Sequence, residues 1–122
     1  MTRRINRMTQ KFGDKYHIWH LERIWEATKD LPVINVEIES LKHLDAVCWF
    51  DDGFKATLRN VVEHFVRMES ADIDYPIILD PNGQIFDGAH RVAKAMANGQ
   101  STIKAVLMNE VPPPDEIADS IY

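Results

Sequence analysis

The order of apolar and polar residues along this chain marks out its elements. LPVINVEIES sets Val33, Val36 and Ile38 against Glu37 and Glu39, which predicts a strand over 33–38 with Pro32 at its mouth. Residues 14–29, DKYHIWHLERIWEATK, place Ile18, Leu21, Ile24, Trp25 and Thr28 at helical spacing among charged neighbours, so an amphipathic helix is expected there. The clearest helical period belongs to residues 54–70, FKATLRNVVEHFVRMES. Its Phe54, Leu58, Val61, Val62, Phe65 and Met68 form a stripe expected to face the core. Lys55, Arg59, Glu63 and Arg67 recur every four residues on the opposite side, a solvated ladder worth a few tenths of a kcal/mol per pair.

The second half of the chain has sharper punctuation. Two short apolar runs, 77–79 and 85–86, flank Asp80-Pro81-Asn82-Gly83, which is hairpin chemistry. A helix follows with Ala89, Val92, Ala93 and Met96 on one side and Arg91, Lys94 and Asn98 on another, and Gly99 stands where a helix ends. Thr102–Leu107 reads as a closing strand. A short helical turn is expected at 40–44, and Asp52-Gly53 signals a turn. Strands and helices mixed in this order predict an α+β domain with one small mixed sheet and helices packed against it.

Size and charge narrow the picture further. A chain of 122 residues fits one domain able to bury a core of its own, and 45% hydrophobic with 27% charged residues excludes collagenous, fully disordered and membrane classes. No apolar run approaches the ~20 residues that span a bilayer, and MTRRINRMTQK lacks the apolar centre of a secretory signal, so a cytoplasmic protein is expected. The lone Cys48 has no disulfide partner and reads as a small buried hydrophobe between Val47 and Trp49. Net charge is −5, yet residues 1–13 carry Arg3, Arg4, Arg7 and Lys11 with no acid. The chain therefore divides into a basic, frayed arm at 1–13, a domain at 14–109 and a proline-rich acidic tail at 110–122 that lies over the surface. An acidic body argues against general nucleic-acid binding, although the arm offers DNA phosphates a contact.

The chemistry concentrates where the strand at 85–86 runs through Asp87 and Gly88 into a helix carrying His90 and Arg91 in its first turn. The first N–H groups of a helix lack internal acceptors, and the helix dipole adds positive character, so a phosphate fits there. Gly88 removes a Cβ from the approach, Arg91 offers a charge-assisted bond, and His90 can donate a bond or handle a proton. Asp87 is equally suited to cap the helix itself. If phosphate binds, Asp87 serves as a magnesium ligand or takes a proton, since two anions side by side repel.

Residues 75–108, YPIILDPNGQIFDGAHRVAKAMANGQSTIKAVLM, resemble the signature half of the ParB/sulfiredoxin-like superfamily: strand, turn, strand, glycine-basic helix start, helix ending in glycine, and a Thr-Ile strand. The strand at 33–38 and the helix at 54–69 sit where such domains have theirs, so the resemblance implies that fold over about residues 30–108. Sulfiredoxins carry F-G-G-C-H-R where this chain has Phe86-Asp87-Gly88-Ala89-His90-Arg91, and with Ala89 at the reactive cysteine the reductase chemistry is excluded. Partition ParB proteins carry G-E-R-R at this turn and bind CTP through it; Gly88 and Arg91 match, Ala89 and His90 depart, and their helix-turn-helix is not among these residues. The D-G-x-H-R turn of free serine kinases is nearest.

The resemblance implies nucleotide phosphates at Gly88, Ala89, His90 and Arg91, with ATP, ADP or CTP and magnesium as ligands and Asp87 at the metal. Phosphoryl transfer to a small-molecule acceptor would further need a base. Glu37, Glu39, Asp51 and Asp52 are the carboxylates ahead of the motif, Glu37 being taken as the candidate, although strand surface and helix capping are their alternative roles. A nucleotide-sensing or DNA- or protein-binding module without catalysis is the other reading. His17 and His20 are spaced for a metal only on a helix, and no third ligand follows. His64 can point toward the motif if its helix packs beside it, and Trp19, Trp25 and Trp49 are expected in the core or stacked on a ring.

Overall fold

The computed structural model describes residues 6–42 and 44–121. Its first element is a hairpin where a frayed arm and a helix were expected. Strand β1 (Arg7–Phe12) pairs antiparallel with β2 (Lys15–His20), in register from Arg7↔His20 to Phe12↔Lys15. The loop is Gly13-Asp14, and among the two only Gly13 has a positive φ, +63°, as a two-residue turn with glycine first requires. The helical period in 14–29 belongs only to α1 (Leu21–Thr28), which buries Leu21, Ile24 and Thr28. The tail supplies β7 (Glu116–Ala118) on the other side of β2, completing a three-stranded sheet in the order β1-β2-β7. His17 and His20 therefore lie on a strand, three residues apart, and point to opposite faces.

The second sheet has four strands in the order β3-β6-β4-β5. Strand β3 (Ile34–Glu37), followed by a 3-10 turn at Ile38–Ser40, pairs antiparallel with β6 (Thr102–Leu107). Strand β4 (Ile77–Leu79) runs parallel to β6 and antiparallel to β5 (Ile85–Asp87). The hairpin expected at 80–83 is present. The buried Asp80 carboxylate accepts from the N–H groups of Asn82 and Gln84, both at 2.9 Å, and Gly83 takes φ +82°. Helix α3 (Ala89–Ala97) bridges β5 to β6 and ends at Gly99, φ +75°, whose N–H reaches Met96 O while that of Gln100 reaches Ala95 O. That pair of bonds is the glycine-capped helix end the sequence promised.

The side chains of β4 alternate between two cores, as strand geometry demands. Ile77 and Leu79 pack with Val92 and Ala95 of α3, Ile103, Ala105, Ile38 and Leu41, while Ile78 joins Trp19, Leu21, Ile24, Phe86 and Val106 on the hairpin side. The four-stranded sheet is thus the middle of three layers, and the fold is a mixed α+β one with two small sheets rather than the single sheet expected.

Helix α2 (Leu58–Ser70) starts four residues later than its pattern suggests, because the Thr57 hydroxyl accepts the Asn60 N–H at 3.2 Å and caps it there. Its apolar stripe does not face the core. Leu58 is 83% exposed, and Val61, Val62, Phe65 and Val66 are 44–57% exposed, whereas His64 is buried, at 4% exposure. The side turned to the protein holds Asn60, Glu63, His64 and Arg67, and Lys94 of α3 secures the far end by donating to the carbonyls of Glu69 and Ala71, both at 2.8 Å.

Candidate functional site

The strand-to-helix turn opens on a cleft of about 680 Å³ bounded by β1, the 42–49 loop, α2 and the start of α3. Gly88 caps α3 with φ +120°. A Cβ there would lie 2.6 Å from Ile77 Cγ2, so the glycine answers to the sheet beneath it. The first bond inside the helix, Val92 N–H to Gly88 O at 3.0 Å, leaves the N–H groups of Ala89, His90 and Arg91 as the helix's open donors.

Asp87 does not cap these donors. Its Oδ2 accepts from Trp25 Nε1 at 2.8 Å and from Arg91 Nη2 at 3.3 Å. Arg91 in turn donates to Pro76 O at 3.0 Å and Tyr75 O at 3.4 Å, and it lines a separate groove beside Trp25 and Tyr75. The two charged residues of the motif thus brace each other and the sheet edge, with Asp87 standing in the wall between groove and cleft. Glu37 is not brought to either. It ends β3, the edge strand opposite β5, so three strand spacings of ~4.8 Å separate the two strands.

His90 faces the cleft and meets a partner that the sequence only hinted at. Its Nε2 lies 2.8 Å from Nδ1 of His64, with the rings 9° from coplanar. The Trp49 indole stacks over both, 4.5 Å from His90 and 4.8 Å from His64 between ring centroids. Trp49 adopts φ +69°, a conformation costly for a bulky side chain, and its stacking on the histidine pair offsets that strain. Burial, then the neighbouring His64 and Arg67, lower the His90 pKa from 6.5 to about 4. His90 is therefore neutral near pH 7, one ring of the pair donating its N–H and the other accepting it.

Charge in this cleft runs against that of the chain. Arg7, Lys42 and Arg67 line it together with Asp87, its one carboxylate among the described residues, in a chain of net charge −5. Arg7 donates to Ile121 O at 2.5 Å and Arg67 pairs with Glu63 at 2.6 Å, so both cations are already oriented. Arg7 belongs to an arm expected to fray, Arg67 to a ladder expected to be solvated, and Lys42 to the helical turn expected at 40–44; no local pattern marks them as companions. Arg3 and Arg4 of the basic arm lie outside the described residues.

Cys48 also lines the cleft, exposed rather than buried as expected, and partial desolvation raises its thiol pKa above the usual value. Asp51 was expected to cap the helix but instead closes its own turn, accepting from the N–H groups of Gly53 and Phe54, while Thr57 caps α2. Among the described residues no helix is long and apolar enough to cross a membrane, and no three of His, Cys, Asp and Glu gather as a metal site. Comparison of the chain with protein-family models, with curated proteins and with solved structures gives no match to any of them.

Proposed function

We infer that the protein is a ParB/sulfiredoxin-like nucleotide-binding domain that holds the phosphates of its ligand in the cleft at the start of α3. The observation that carries this reading is the charge of the lining: Arg7, Lys42 and Arg67 against the lone carboxylate of Asp87, in an acidic chain. Such a lining attracts an anion, and about 680 Å³ accommodates a ligand of nucleotide size. The N–H groups of Ala89 and His90 and the neutral imidazole of His90 supply hydrogen bonds, and Lys42 and Arg67 supply charge. Gly88 shapes the turn from behind, and Arg91 acts by fixing Asp87. A cytoplasmic setting, where nucleotides abound, suits this ligand.

Binding without phosphoryl transfer is the better of the two forms of this reading. Asp87 already accepts two bonds on one oxygen, and Glu37 stands on the far edge of the sheet, so no second carboxylate joins it from that side. Magnesium fits only as an ion that arrives on the phosphates, with Asp87 as its single protein carboxylate.

The test is isothermal titration with ATP, ADP and CTP, with and without magnesium. At least one of the three binds, and Lys42→Ala weakens it about tenfold, the worth of one charge-assisted bond. Heats indistinguishable from dilution for all three nucleotides would overturn the assignment. Steady release of phosphate from bound nucleotide, abolished in Asp87→Asn, would restore the catalytic form.

A further inference from the structure

Helix α2 presents Leu58, Val61, Val62, Phe65 and Val66 to solvent as one continuous stripe, every one of them more than two-fifths exposed. A contiguous apolar patch of this kind marks an interaction surface. We propose that it pairs antiparallel with the same helix of a second copy of this chain, about a two-fold axis that passes midway between Glu63 and His64.

The spacing is self-complementary. Positions 61, 62, 65 and 66 are symmetric about that midpoint, so in an antiparallel pair Val61 meets the partner's Val66 and Val62 meets the partner's Phe65. A two-fold interface requires this property, since each surface must fit itself. Charge selects the direction. Arg59 flanks the stripe near its start and Glu69 continues it near its end, and among the described residues neither makes an ion pair within its own chain. Antiparallel pairing sets Arg59 beside the partner's Glu69 at both ends, whereas parallel pairing sets the two Glu69 carboxylates against each other. Opposed helix dipoles favour the same direction.

The area sets the strength. Thirteen residues make a helix about 20 Å long, and one face of it buries on the order of 1,000 Å² in a pair, the lower edge for a specific interface. The dimer is therefore reversible and concentration-dependent. This surface lies opposite the helix face that carries His64, so pairing leaves the cleft open.

Sedimentation velocity of the full chain tests it across about 10 to 300 µM, the range in which an interface of this size dissociates. The wild type moves from monomer toward dimer over that range, and Phe65→Glu stays monomeric with an unchanged circular dichroism spectrum. Arg59→Glu, which turns two attractions into two repulsions, raises Kd about tenfold, and Arg59→Glu with Glu69→Arg returns it to near the wild-type value. A wild type monomeric at every concentration overturns the proposal, as does a dimer insensitive to Phe65→Glu. Failure of the double exchange to recover association overturns the antiparallel arrangement.

Discussion

Helices α2 and α3 lie side by side, each is amphipathic, and each has an apolar side evident in its sequence. Helix α3 turns Val92 and Ala95 into the core on the four-stranded sheet. Helix α2 turns its apolar side to solvent and meets α3 through polar groups, the His64–His90 bond and the Lys94 cap among them. The period of a helix therefore identifies a stripe, and only the neighbours decide what that stripe faces. For α3 the neighbour is the sheet layer of its own domain, entered through the single residue Gly88, which leaves it no freedom of rotation. For α2, a long loop before and a turn after leave rotation free, so the cost of burying His64 against His90 and Trp49 is met by contacts the sequence cannot place.

Identical substitutions in the two stripes should separate them most sharply. Val92→Asp puts an uncompensated carboxylate among Ile77, Leu79 and Ala105, and should cost about 4 kcal/mol or more, enough to leave much of the chain unfolded in a urea titration. Gly88→Ala comes next. It forces a Cβ to within 2.6 Å of Ile77 Cγ2 on a backbone at φ +120°, and a loss of about 2–4 kcal/mol is expected in the same titration. A Gly88→Ala protein as stable as the wild type would show that the turn relaxes, and would return the glycine to the role of admitting a ligand.

How far the sequence led depends on whether the decisive contacts are local. The Asp80–Gly83 turn, the Gly99 helix end and strand β6 follow from residues within a few positions, and each stands where it was expected. Residues 15–20 form a strand although they share a helical period with 21–28, because Gly13 closes a hairpin and β7 pairs from about a hundred residues away. Trp19 was expected in the core and is there, whereas Trp25 binds Asp87 and Trp49 stacks on two histidines. The motif is legible in the sequence, yet Asp87 and Arg91 turn toward each other across one helical turn, an arrangement its spacing alone does not settle. The cations of the cleft come from three separate stretches, which no spacing rule joins.

The polar seam between α2 and α3 predicts a response to acid that the apolar seam beneath α3 lacks. In the folded protein His90 protonates only near pH 4, whereas an unfolded chain takes up that proton near pH 6.5. Between those values the unfolded state binds more protons, so stability from this group is complete above about pH 6.5 and declines as pH falls toward 4. Because the ring is only partly buried, solvent screening reduces the effect to about 1 kcal/mol. Urea midpoints at pH 7 and pH 4.5 should show a fall of that size beyond the one in His90→Gln, and equal falls in both would show that the pair carries no linkage.

The smallest effect on folding should come from the stripe that looks most like core. Val62→Asp, at the centre of α2, adds a charge to a side chain already half in water, so the monomer should keep its stability to within about 0.5 kcal/mol in a titration at a few micromolar protein. At several hundred micromolar the same substitution should lower the midpoint relative to the wild type, because only the wild type gains from association and that gain grows with concentration. A loss of 2 kcal/mol or more at low concentration would mean that Val62 is buried within its own chain, and the contrast between the two helices would then vanish. A midpoint independent of concentration in both proteins would preserve the contrast and remove the second copy as the reason for it.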